Sequence, residues 1–117
     1  MAYILVVDDQ RVMRHLLYRA LSSMGHEATI ACSGKEVLTL CREHQYDLVI
    51  LDYRMPDMDG LEIARCLGKE LRFILHTSDS GDNDIISEAF KMGALGVIPK
   101  ITSIRAFIES VEKFLSE

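Results

Sequence analysis

Tryptophan is absent from this 117-residue chain, so an indole fluorescence signal for binding needs an introduced probe. Cysteine is scarce. Cys32, Cys41 and Cys66 are odd in number and widely spaced, which excludes a disulfide framework and a zinc site. They are expected to be reduced thiols buried as small hydrophobes. No apolar run approaches the ~20 residues of a membrane-spanning helix. No basic stretch precedes the apolar run at Tyr3, so a signal peptide is not expected and a cytoplasmic setting is. Positive charge is in deficit. A net charge of −5 argues against binding a phosphate backbone as the main activity, so no nucleic-acid partner is expected. Linkers, internal repeats and low-complexity tails are missing as well.

What is present is a chain 49% hydrophobic, enough for one folded domain over residues 1–117 but not two. Short apolar runs alternate with segments of helical period. The runs predict strands at Ile4–Val7, Glu27–Ala31, Leu48–Leu51, Arg72–His76 and Gly96–Ile98. Val12, Leu16, Ala20 and Met24 repeat at i, i+4 and predict a first helix stopped by Gly25. Ser33 with Glu36 predicts a capping box opening a second helix, Lys35–Glu43. Asp59 with Glu62 predicts another, opening a third helix that stops at Gly68. Ile85, Ile86, Ala89 and Phe90 mark a fourth, closed by Gly93. Ser103 caps a fifth, with Phe107, Ile108, Val111 and Leu115 as its stripe. The result is an α/β fold, (βα)₅: a doubly wound, five-stranded parallel sheet of order 2-1-3-4-5.

In that order strands 1 and 3 are neighbours at the switch point, where open α/β sheets keep their chemistry. Strand 1 runs into Asp8-Asp9 and strand 3 into Asp52. Like charges at about 4 Å cost roughly 4 kcal/mol per pair at an effective dielectric near 20, so the cluster calls for a cation. Strand 4 ends at Thr77 and strand 5 near Lys100, on the same cleft. Hard oxygen ligands suit Mg²⁺. A carboxylate is also a nucleophile toward phosphorus, and phosphoryl transfer asks mainly for positioning and neutralised charge.

The chain resembles a two-component response regulator receiver domain over essentially its whole length. The resemblance is carried by Ile4-Leu5-Val6-Val7-Asp8-Asp9, Asp47-Leu48-Val49-Ile50-Leu51-Asp52, Met55-Pro56-Asp57-Met58-Asp59-Gly60, Thr77, Gly93-Ala94-Leu95-Gly96 and Lys100. It implies phosphorelay signalling through a phosphoryl group accepted on Asp52. It implies Mg²⁺ held by Asp9 directly, by Asp8 through water, by Asp52 and by the Arg54 carbonyl. Thr77 and Lys100 are implied to meet phosphoryl oxygens. The implied donor is a histidine kinase or a histidine phosphotransfer protein, and the implied output is altered binding to a downstream protein. Such a chain is not a conventional enzyme, although it helps catalyse its own phosphorylation and dephosphorylation. A monomer or weak dimer is expected, standing alone or excised from a longer protein.

Three departures from the family pattern stand out. Pro99 precedes Lys100 and Ile101 follows it, where the family usually has proline after the lysine; a trans Lys100–Ile101 bond is expected, with the reach of Lys100 in question. Val97 occupies the place of the family's switch aromatic, so the usual coupling of threonine to aromatic lacks its second half. The Asp52-to-Thr77 segment is a few residues short. Arg54 and Asp79 are candidates to pair across the cleft and slow hydrolysis. Rival readings are a phosphorylation-independent binding scaffold and a flavin carrier; the second is disfavoured because Asp8-Asp9 repels a flavin phosphate.

Overall fold

The computed structural model describes residues 1–78 and 82–116. Ten elements alternate: β1 (Tyr3–Val7), α1 (Arg11–Ser23), β2 (Glu27–Ala31), α2 (Gly34–Glu43), β3 (Leu48–Asp52), α3 (Gly60–Leu67), β4 (Phe73–Thr77), α4 (Asn83–Lys91), β5 (Gly96–Pro99) and α5 (Ile104–Leu115). The strands are all parallel in the order β2-β1-β3-β4-β5, as the alternation predicts.

Alternation along the strands sorts the core into two layers. Leu5, Val7, Val49, Leu51, Phe73 and Leu75 face α2, α3 and α4, where Val37, Ile63 and Ala89 meet them. Ile4, Val6, Leu48, Ile50, Ile74 and Ile98 face α1 and α5, against Leu17, Leu21, Phe107 and Val111. Covered on both faces, β3 and β4 are buried at every residue, which is why they read as unbroken apolar runs.

The helix signals hold with local corrections. Gly25, Gly68 and Gly93 follow their helices at φ +85°, +85° and +98°, positive values that favour glycine where a helix stops. Asp59 and Glu62 form the full capping box on α3. At α2 only half of the predicted box forms: Ser33 Oγ accepts the Glu36 N–H, but the Glu36 carboxylate turns to the Cys32 N–H. Ser103 caps α5 through the Ala106 N–H. The predicted α1 stripe is displaced by one residue. Val12 is 82% exposed and Leu16 44%, while Leu17 and Leu21 are buried with Ala20. Apolar residues sit side by side at 16–17 and 20–21, so i, i+4 spacing alone selects the wrong column. The thiols depart too: Cys32 and Cys66 are exposed and only Cys41 is half-buried, where burial pushes its pKa up.

Candidate functional site

Asp8 follows β1 and Asp52 closes β3, and the β1–β3 register pairs Val7 with Leu51. The two acids therefore continue adjacent strands at the carboxyl edge of the sheet. Both are buried, Asp8 at 0% exposure and Asp52 at 2%. Asp9 is exposed, and it caps nothing: the residue at the amino cap of α1 is Gln10, whose N–H goes to Asp8 Oδ1 at 2.9 Å. Ligand atoms from Asp8, Asp9 and Asp52 all lie within 4.8 Å of one another. Sequence reasoning places these three acids together, and the fold does so.

Lys100 joins them. Its Nζ stands 3.1 Å from Asp8 Oδ2 and 3.1 Å from Asp52 Oδ2. The displaced proline does not prevent this reach. Pro99 lies on an edge strand, where its missing N–H breaks no ladder, and the Lys100 N–H bonds to the Thr77 carbonyl at 3.0 Å. Cis peptide bonds are absent among the described residues, in line with the expected trans bond.

The electrostatics are unbalanced. Among the described residues, Lys100 meets two of the three clustered carboxylates, and Asp8 Oδ2 and Asp52 Oδ2 are buried without a well-aligned hydrogen bond. Lys100 is near both oxygens but serves them as a shared charge rather than a directed donor. Burial first, and then the Asp8 charge, push the Asp52 carboxyl up to about 6, against the opposing pull of Lys100 and the Arg54 N–H. Burial works against the Lys100 ammonium, but Asp52 and Asp8 outweigh it and its pKa is raised. Orphaned buried oxygens beside an exposed third acid fit a hard divalent cation better than they fit a closed structural cluster.

Thr77 ends β4, 1% exposed. Arg54 lies two residues past Asp52; its N–H reaches Asp52 Oδ1 at 3.3 Å and its guanidinium lies 5.4 Å from the Tyr53 ring centre. Asp79, the expected partner of Arg54, lies outside the described residues. The loop from Tyr53 closes on itself through the Gly60 N–H to the Tyr53 carbonyl, 2.8 Å. Gly60 admits no side chain, because a Cβ there would stand 2.6 Å from the Asp52 carbonyl oxygen. Val97 is half-buried against the α2–α4 side of the core.

Two contributors escape a sequence reading. Arg14 donates from α1 to the Asp8 carbonyl at 3.0 Å and steadies the acidic turn. His76 neighbours Asp52 in register and is buried against the Phe107 ring. Burial, and then the Lys100 charge, lower its pKa to about 4, so it stays neutral at pH 7. His26 accepts the Ala2 N–H on Nδ1 and meets Glu112 through Nε2. Tyr18 and Phe90 are surface residues, 41% and 51% exposed.

Comparison with known proteins points the same way. The family model for the response regulator receiver domain matches residues 4–112. The chain is 34% identical over 115 residues to sporulation initiation phosphotransferase F of Bacillus subtilis, covering 96% of this chain and 92% of that protein. It is 30% identical over 121 residues to the polar-differentiation response regulator DivK of Brucella ovis, covering 97% and 96%. The structure of response regulator protein TrrA from Thermotoga maritima, solved in complex with Mg(2+)-BeF, superposes with a TM-score of 0.85 at 35% identity, covering 97% of this chain and 99% of that one.

Proposed function

The chain belongs to the response regulator receiver domain family, which works in phosphorelay signalling, and from that premise we propose that Asp52 is its phosphoacceptor. The observation that carries this reading is the buried Asp52 carboxylate, its Oδ2 without an aligned hydrogen bond, within 4.8 Å of two further acids and 3.1 Å from Lys100.

Asp8, Asp9 and Asp52, with the Arg54 carbonyl, are the groups that would hold Mg²⁺. Bound there, the ion would supply positive charge to the phosphoryl oxygens. An Asp52 oxygen attacks phosphorus, and the bond from phosphorus to the donor's histidine nitrogen breaks. The buried site keeps bulk water from the nucleophile. Lys100 already lies against Asp52, so its charge is in place before the phosphoryl group arrives. The Thr77 hydroxyl, at the next strand end, serves a phosphoryl oxygen. The donor is a histidine kinase or histidine phosphotransfer protein, the setting is cytoplasmic, and the signal leaves through binding of a downstream protein. Among the described residues no helix is long and apolar enough to cross a membrane.

The test is incubation with phosphoramidate and Mg²⁺, read by intact mass. A gain of one phosphoryl group is expected, lost in Asp52→Asn and on chelation of Mg²⁺. Beryllofluoride with Mg²⁺ separates this reading from a phosphorylation-independent scaffold. Failure of both reagents to modify or bind the wild-type chain sinks the proposal.

A further inference from the structure

Asp57 belongs to the loop between β3 and α3, yet its carboxylate ends on a different helix. Oδ1 accepts the Gly34 N–H at 3.0 Å and Oδ2 accepts the Lys35 N–H at 3.1 Å. These are the first two amides of α2, and the third, Glu36, goes to Ser33. A helix leaves its first N–H groups without partners of its own, and its dipole favours an anion there. The bonds to Gly34 and Lys35 hold the Asp57 carboxyl below its usual range.

The backbones also fit closely. A Cβ on Gly34 would lie 2.8 Å from both Cβ and Sδ of Met58. At the loop's other end, Gly60 is pressed against the Asp52 carbonyl and bonded to Tyr53. The Arg54 carbonyl thus sits in a loop whose base is closed by Gly60 and whose outer part rests on α2. Two acceptor oxygens meet two N–H donors at Asp57. An asparagine has one acceptor, and its amide would turn a donor toward a donor.

We propose that Asp57 and Gly34 are positioning residues of the metal site: the amino end of α2 is the anchor that fixes the β3–α3 loop and the Arg54 carbonyl on it. This rests on the reading of that carbonyl as a Mg²⁺ ligand. Ser33 belongs to the helix alone, because its bond stays inside α2. The distinction gives the test its control.

Mg²⁺ is titrated calorimetrically into the metal-free full chain of wild type, Asp9→Asn, Ser33→Ala, Asp57→Asn and Gly34→Ala. Gly34→Ala keeps every charge while forcing Met58 away, so it separates loop position from local field. Supporting residues of metal sites typically change affinity by about tenfold or more. Asp57→Asn and Gly34→Ala are expected to weaken Mg²⁺ by about that factor, and Ser33→Ala by less than about twofold even if it melts earlier. Amide exchange in the metal-free protein is expected to quicken over residues 53–59 in the first two variants only. Should Gly34→Ala fail to fold, Asp57→Asn at high ionic strength replaces it, since salt screens the field of one exposed charge but not a displaced loop. If Asp9→Asn binds Mg²⁺ like wild type, the site itself is misread. If Asp9→Asn weakens binding while Gly34→Ala, or Asp57→Asn in high salt, matches wild type, the anchoring role is wrong.

Discussion

Asp47 and Asp52 stand at the two ends of one strand and meet opposite fates. Asp47, before β3, is exposed; its Oδ2 accepts the Tyr3 N–H at 2.8 Å and its carbonyl accepts Arg72 Nε at 3.2 Å. Around it, His26 bonds to Ala2 and Glu112, and Arg72 reaches the Phe114 carbonyl. An open hollow of about 560 Å³ lies among these groups. At the other end, Asp52 is buried with an oxygen that no aligned donor serves. That hollow is at the amino edge, and the acidic cluster is at the carboxyl edge. Buried charge distinguishes the two: Asp8 and Asp52 share one ammonium, and burying charge costs more than a surface pair returns.

The contrast can be broken most forcefully at Lys100. Lys100→Met strips the buried acids of their counter-charge and is expected to cost about 4 kcal/mol in the metal-free protein, measured by urea unfolding at pH 8. Added Mg²⁺ should restore part of that loss if the acids bind it. An unchanged midpoint would mean that Lys100 does not hold the cluster.

Asp52→Asn acts in the opposite direction. The folded-state pKa of Asp52 is raised from 3.8 to about 6, so its contribution to stability is fully present below pH 3.8 and is lost as pH rises through about 6. The asparagine variant escapes this loss. Its metal-free stability relative to wild type should grow by roughly 3 kcal/mol between pH 4 and pH 7. A difference that stays flat with pH contradicts the raised pKa.

His76 supplies the acid limb. Its pKa is lowered from 6.5 to about 4, so its contribution is present above pH 6.5 and is lost as pH falls through about 4. His76→Leu should therefore gain up to roughly 3 kcal/mol on wild type over that fall, followed by denaturant midpoints across the range. The smallest effect belongs to the amino edge. Glu112→Gln alters the carboxylate that meets His26 Nε2, 48% exposed, and is expected to change stability by no more than about 1 kcal/mol. A larger loss would make the two ends of β3 more alike than their geometry says.

Legibility followed distance along the chain. The stops at Gly25, Gly68 and Gly93 and the caps at Asp59 and Ser103 were readable because each is decided within a few residues. The acids at 8, 9 and 52 were readable because parallel alternation leaves few strand orders open, and those orders make β1 and β3 neighbours. The face of α1 was misjudged by one residue, since only packing against α5 and the sheet separates Leu17 from Leu16. Burial of the thiols was misjudged for the same reason. The tie from Asp57 to Gly34, 23 residues apart, has no local signature. Nor do the links from His26 to Ala2 and Glu112, 24 and 86 residues apart.

By itself, the sequence determined the alternation of elements, the order of the sheet and the residue types that gather at its carboxyl edge. Period and punctuation are local, and right-handed crossovers convert them into topology. Only the tertiary structure decided that Lys100 reaches the acids despite Pro99, that two of their oxygens remain orphaned, and that α2 carries the loop of Arg54. Those depend on distances of about 3 Å between residues far apart in the chain, and no spacing rule fixes them.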